Sequence, residues 1–123
     1  MGVEAESGRE VLKKLTETDE GAARLGEVAL VPHSSPISTF GKLFYNTLFD
    51  ENASNHVALG QAYSVCLEGG EAMAPDDFAR AGGNNSVTHV DFMIGSGEMD
   101  IDGILEDGST EAVMRDGEWA FEA

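Results

Sequence analysis

A chain of 123 residues with 7 lysines and arginines against 23 aspartates and glutamates has a formal charge of −16, a surface that repels nucleic-acid phosphates and anionic lipid headgroups. No apolar run approaches the ~18 residues of a membrane span, and the acidic start MGVEAESGRE lacks the basic flank and apolar stretch of a secretion signal. The length suits one domain over 1–123, and the lone Cys66 excludes an intrachain disulfide and reads as a small core residue of a cytoplasmic protein.

Ser7-Gly-Arg-Glu10 has the spacing of a capping box and predicts a helix burying Val11, Leu12 and Leu15. Thr18 is placed to cap a second short turn through Glu20 to Arg24, closed by Gly26. EVALVP, opening at Glu27 and halted by Pro32, reads as a buried strand. HSSPIS is loop. Phe40, Leu43, Phe44, Thr47 and Leu48 then follow the i, i+3, i+4, i+7, i+8 spacing of a helix with one apolar face.

HVALG and AYSVCL read as strand pieces broken by Gly60, with Tyr63, Val65 and Leu67 on one face. Pro75 to Ala81 is a short acidic helix ended by Gly82 and Gly83. VTHVDFMIG, Val87 to Gly95, is a strand. Beyond it, Asp107-Gly108 and Asp116-Gly117 supply the positive φ angles of tight hairpins and predict a meander of IDGILE, EAVMR and EWAF. The fold class is therefore α/β or mixed α+β, with a mixed sheet, flanking helices and a C-terminal β-meander.

Four polar residues stand at or inside apolar strand-like runs: Glu27, His56, His89 and Asp91. An isolated buried carboxylate that stays charged costs on the order of several kcal/mol, so these groups need partners. His89 and Asp91 are two apart, hence on one face of an extended chain. Two imidazoles and two carboxylates are a donor set that zinc, cobalt or manganese accepts, while a wet strand face, or a histidine hydrogen-bonded to a neighbouring acid, is the plainer account of His89 and Asp91. Other chemistry is disfavoured. Ser34, Ser35 and Ser38 have no nucleophile elbow, no phosphate-binding glycine loop is present, and Glu98, Asp100 and Asp102 alternate like a solvated strand.

The strings TDEGAARLGEVALVP, LFYNTLFDENASNHVALG and VTHVDFMIGSGEMDIDG together resemble the C-terminal part of the thermophilic-type aminopeptidases, the AmpS/PepS family of dinuclear metallo-aminopeptidases. The resemblance implies that Glu27, His56, His89 and Asp91 are ligands to two divalent ions, zinc, cobalt, manganese or magnesium. It also implies a place at the active site for Tyr63, seven residues beyond His56, whose phenol can act as a catalytic hydrogen-bond donor; Glu27 is the candidate for bridging ligand or base. The implied substrates are peptides with a free N-terminus, cleaved by a metal-activated water.

Members of that family are several-fold longer, with a separate N-terminal domain and a further metal-binding glutamate. The expectation is thus a C-terminal fragment that misses an N-terminal portion. The alternative is a non-catalytic remnant that keeps the fold as a binding or dimerising module, and a homodimer is compatible with either.

Acidity spread along the chain with only three lysines fits adaptation to high salt, where screening relieves self-repulsion, and an ordinary acidic protein fits as well. The high-salt reading expects the melting temperature to climb steeply as KCl goes from dilute to molar. A flat profile would remove it.

Overall fold

The computed structural model describes residues 3–121. The chain divides into two compact units, Met1–Val28 with Val57–Phe92, and Ala29–His56 with Met93–Ala123. The class is mixed α+β as expected, but the strands form two separate three-stranded antiparallel sheets instead of one mixed sheet. Among the described residues, no helix is long and apolar enough to cross a membrane.

The first unit opens with α1, Arg9–Thr16. Its cap is not the predicted serine box: Gly8 sits at the N-cap with φ 71°, no side chain caps the helix, and Val11 is 64 % exposed. The left-handed glycine turns the chain into the helix, leaving Ser7 one residue too early to act. The next turn is built by Asp19 and not by Thr18, whose hydroxyl donates back to the Lys14 carbonyl. Asp19 Oδ1 accepts the amides of Gly21 at 2.9 Å and Ala22 at 2.8 Å, the bonding pattern of an Asx turn. Gly26 does not close this turn but lies within the first strand.

β1 (Leu25–Ala29), β2 (His56–Gly60) and β3 (His89–Met93) form a sheet with β2 in the middle. The predicted strand AYSVCL is instead a 3-10 turn over Ser64–Cys66. Gly60, at φ 104°, takes the chain off the sheet, and the segment closes on itself through Cys66 N–H to the Tyr63 carbonyl and Leu67 N–H to that of Ser64. Cys66 is consequently exposed and not a core residue. α4, Pro75–Arg80, forms as expected, with proline in its first turn and Phe78 buried.

In the second unit the expected loop HSSPIS contains the start of α2, Pro36–Phe40, capped by Ser35 Oγ accepting the Ser38 amide. The predicted helix from Phe40 to Leu48 is absent. Gly41 terminates α2 at φ 64°, Tyr45 is held at φ 55°, and the Asp50 carboxylate takes the amides of Phe44 and Asn46 at 2.8 and 3.0 Å. Only Thr47–Asp50 is helical, forming α3. Phe40, Phe44 and Phe49 gather their rings at 5.5 and 5.6 Å. The apolar pattern is satisfied by local ring contacts and not by a helix face.

The meander's strands pair as predicted, β4 (Ile101–Ile104), β5 (Thr110–Arg115) and β6 (Glu118–Trp119) running antiparallel in order, but the β4–β5 connection spans residues 105–109 with positive φ at Gly108 and not at Asp107. Asp116 and Gly117 both have positive φ, the two-residue turn their sequence demands. Buried Asn55 ties this unit together. Its Oδ1 accepts the Val31 amide at 2.6 Å, its carbonyl takes the amides of Ile94 and Gly95, and its Nδ2 faces the sulfurs of Met99 and Met114.

Asp19 makes folding of the first unit depend on pH. Its carboxyl is held below the ordinary range chiefly by the Val87 amide, then by the Ser86 hydroxyl and the Ala22 and Gly21 amides, against an opposing effect of burial. Folding favours the ionised form, so the contribution is complete above the unfolded value near ~4 and is lost as pH falls through the lower folded value. The thermal midpoint of the wild type should therefore fall more steeply than that of Asp19→Asn between pH ~5 and ~2. Equal slopes would dismiss Asp19 as a source of the acid sensitivity.

Candidate metal centre

Glu27 on β1 and His89 and Asp91 on β3 bring one ligand atom each within 4.8 Å of one another. His89 Nε2 lies 3.4 Å from Glu27 Oε2 and 3.3 Å from Asp91 Oδ1. The three side chains are 19, 21 and 6 % exposed respectively for His89, Glu27 and Asp91. Alternation along β3 places His89 and Asp91 on one face. The middle strand β2 separates β1 from β3, a gap of roughly 10 Å between backbones, which the long glutamate and imidazole side chains together bridge.

The orientation of the imidazole is fixed from behind. His89 Nδ1 is 2.7 Å from the Gln61 carbonyl, and a carbonyl can only accept, so Nδ1 carries a proton. In the neutral ring Nε2 then presents a lone pair toward the two carboxylates. An ordinary ion pair would draw a charged imidazole to ~2.7–2.9 Å from an acid. Here the separations are 3.3 and 3.4 Å, and both His89 Nε2 and Asp91 Oδ1 are buried without a hydrogen-bond partner.

Such orphaned acceptors are costly unless something electropositive lies between them. Donors each ~2.0–2.1 Å from a tetrahedral zinc stand ~3.3–3.4 Å apart. The spacing and the donor types therefore fit a divalent cation.

The other residues singled out from the sequence are placed as follows. Tyr63, 46 % exposed, sets its ring centroid 4.9 Å from that of His89 at a 49° tilt. It reaches the imidazole from the end of a 3-10 turn and not from a strand face. His56 is 2 % exposed on β2 and stands outside the three-residue cluster. Its Nδ1 lies 2.9 Å from the Ser54 carbonyl, so this ring also carries its proton on Nδ1 and leaves Nε2 as the basic nitrogen when neutral. Sequence reasoning missed Gln61, whose carbonyl orients His89. A backbone acceptor leaves no mark on residue type.

The sequence profile of the thermophilic metalloprotease (M29) family matches residues 1–119. The chain belongs to this family. Its relatives within it include aminopeptidase AmpS of Bacillus subtilis, 59 % identical over 121 residues, which cover 98 % of this chain and 30 % of that protein. Aminopeptidase T of Thermus aquaticus is 59 % identical over 119 residues, 97 % of this chain and 29 % of its own length. The solved structure of wild-type AmpT from Thermus thermophilus superposes with a TM-score of 0.84 at 57 % identity, covering 98 % of this chain and 29 % of that one. This M29 chain thus spans about 30 % of the length of the curated relatives it matches. Membership in a metalloprotease family brings with it a divalent metal ion, and Glu27, His89 and Asp91 are a cluster able to hold one.

Close packing behind the cluster depends on Gly26, the neighbour of Glu27. A Cβ there would stand 2.3 Å from the Gly60 carbonyl oxygen and 2.5 Å from that of Gln61, both backbone atoms that cannot swing aside. Gly26→Ala should push β1 away from the 60–61 corner. Its midpoint of thermal unfolding should drop, with a loss on the order of 1–3 kcal/mol. Wild-type stability in this variant would show that the corner is looser than its packing indicates.

Proposed function

We propose that Glu27, His89 and Asp91 hold a divalent ion in the active site of a metal-dependent aminopeptidase, which removes N-terminal residues from peptides. The observation that carries this reading is the pair of buried, unpartnered acceptors His89 Nε2 and Asp91 Oδ1, spaced as ligands to one cation. When bound, a divalent ion supplies Lewis acidity and lowers the pKa of a bound water. With one imidazole and two carboxylates, zinc, manganese and cobalt all suit the donor set.

The chain's own groups divide the remaining work. Asp91, the most buried of the three, and His89, fixed by the Gln61 carbonyl, give a rigid pair of donors on one strand. Glu27 comes from a different strand and is the more exposed acid, so it is suited to bind the ion and to take a proton at its other oxygen. The Tyr63 phenol, beside the His89 ring, can donate a hydrogen bond to the carbonyl oxygen of a substrate as negative charge develops there.

His56, with its proton fixed on Nδ1, is proposed as a ligand to a second ion. The full pair of ions would also take a further glutamate from the portion of the relatives that has no counterpart in these 123 residues. A reducing cytoplasmic setting accords with the single, exposed Cys66.

Titration with zinc, and with cobalt followed by its visible absorption, tests this reading. The chain should bind a divalent ion weakly, His89→Ala should abolish that binding, and amino-acyl anilides should be hydrolysed little or not at all. Joining the chain to the remaining portion of the Bacillus subtilis relative should restore turnover, which His89→Ala should again abolish. Absence of any metal binding by the wild-type chain would overturn the proposed site. A joined protein that binds metal and stays inactive would favour a non-catalytic binding role.

A further inference from the structure

Gln61 is held at four points. Its amide donates to the Thr88 carbonyl at 2.6 Å, and its carbonyl accepts His89 Nδ1–H at 2.7 Å. Its side-chain Oε1 accepts the Ser86 amide at 2.9 Å, and Nε2 donates to the Ala62 carbonyl at 2.8 Å. The two partners, one donor and one acceptor, leave only one way round for the carboxamide.

The fixed point at the far end is itself anchored. Ser86 Oγ bonds Asp19 Oδ2 at 3.0 Å and Thr88 Oγ1 at 3.1 Å, and the Val87 amide donates to the same Asp19 oxygen at 2.7 Å. Asn84 Nδ2 ties the adjoining corner by donating to the carbonyls of Gly21 and Gly60 at 2.8 and 2.6 Å. The corner that carries the Gln61 carbonyl and the turn that launches β3 are thus locked to each other by side chains, not by the strand ladder alone.

We infer that the Gln61 side chain is a positioning residue for the metal ligand His89. It acts by clamping the 60–62 corner to the 84–88 turn, so that the Gln61 carbonyl holds the imidazole in one tautomer and at one rotation. The inference deepens the proposed metal site and rests on it. An imidazole whose second nitrogen is tied to a fixed carbonyl offers the first without reorganisation. Loosening such an outer partner costs roughly 10–100-fold in metal affinity.

A purely structural role for Gln61 would lower stability without touching the state of His89, which makes the two separable. The experiment measures zinc affinity, thermal midpoint and the ¹⁵N shifts of the His89 ring in the metal-free chain, for the wild type, Gln61→Met and Gln61→Asn. Gln61→Met keeps the length and removes both polar atoms. Gln61→Asn keeps the carboxamide but falls one carbon short of Ser86, and serves if the methionine variant does not fold. Asn85→Ala, which removes the bond from Asn85 Nδ2 to the Pro75 carbonyl in the same turn, is the control for general loosening.

The wild type should show a single tautomer protonated on Nδ1. Either Gln61 variant should show a tautomer mixture and at least tenfold weaker zinc binding, while Asn85→Ala changes only the midpoint. Unchanged ¹⁵N shifts and affinity in both Gln61 variants would overturn the clamp, and so would an equal loss of affinity in Asn85→Ala. A wild-type chain that binds no zinc while its His89 shifts still respond to Gln61 substitution would leave the clamp standing and sink the metal reading. That outcome tells the two failures apart.

Discussion

The first unit is organised around the hydrogen bond from His89 Nδ1–H to the Gln61 carbonyl. A carbonyl cannot donate, so this bond decides which nitrogen is bare, and the bare nitrogen faces Glu27 and Asp91. If the proton moved to Nε2, the ring would become one more donor satisfying two acids, and the cluster would collapse into an ordinary ion-pair triad. For the bond to hold, the 60–61 corner must reach close to both neighbouring strands. Gly26 allows the approach from β1, where a side chain would strike the Gln61 carbonyl. Gly60 allows the approach from β3 with φ 104°, a value that other residues adopt at a cost.

The elements that the sequence disclosed are those with a local cause. Asp116-Gly117 forms a tight hairpin because its two residues tolerate positive φ. Pro75 opens α4 because its missing N–H falls where a helix has no use for one. His89 and Asp91 share a face because side chains alternate along any strand. Their suspicion as a site came from the same economy, since neither belongs in an apolar run without a partner.

What the sequence concealed depends on partners distant along the chain. The spacing of Phe40, Leu43, Phe44 and Leu48 suits a helix, but a helix needs a surface to cover, and Asp50 offers the amides of Phe44 and Asn46 a competing acceptor. Thr18 stands where a cap is expected, yet Asp19 builds the turn and also finds Ser86 and Val87. Those contacts lie 67 and 68 residues away, beyond any local pattern. Gln61 was invisible for another reason: its decisive atom belongs to the backbone, which every residue possesses.

Charge supplies the remaining constraint on the cluster. Glu27 and Asp91 bring two carboxylates to one imidazole, in a chain whose formal charge, these two included, is −16. The four arginines are engaged elsewhere: Arg24 with Glu20, Arg80 with Asp77, Arg115 with Asp102, and Arg9 with the Val3 carbonyl. A protein that only needed to quiet the enclosed carboxylate of Asp91 could bring in an arginine, whose fork bonds a carboxylate bidentately. None of the four arginines takes that place, and Asp91 Oδ1 and His89 Nε2 are left without a hydrogen-bond partner. Under the proposed reading a divalent cation supplies the partner that Asp91 Oδ1 and His89 Nε2 lack, and the negative potential of the carboxylates is what draws it in.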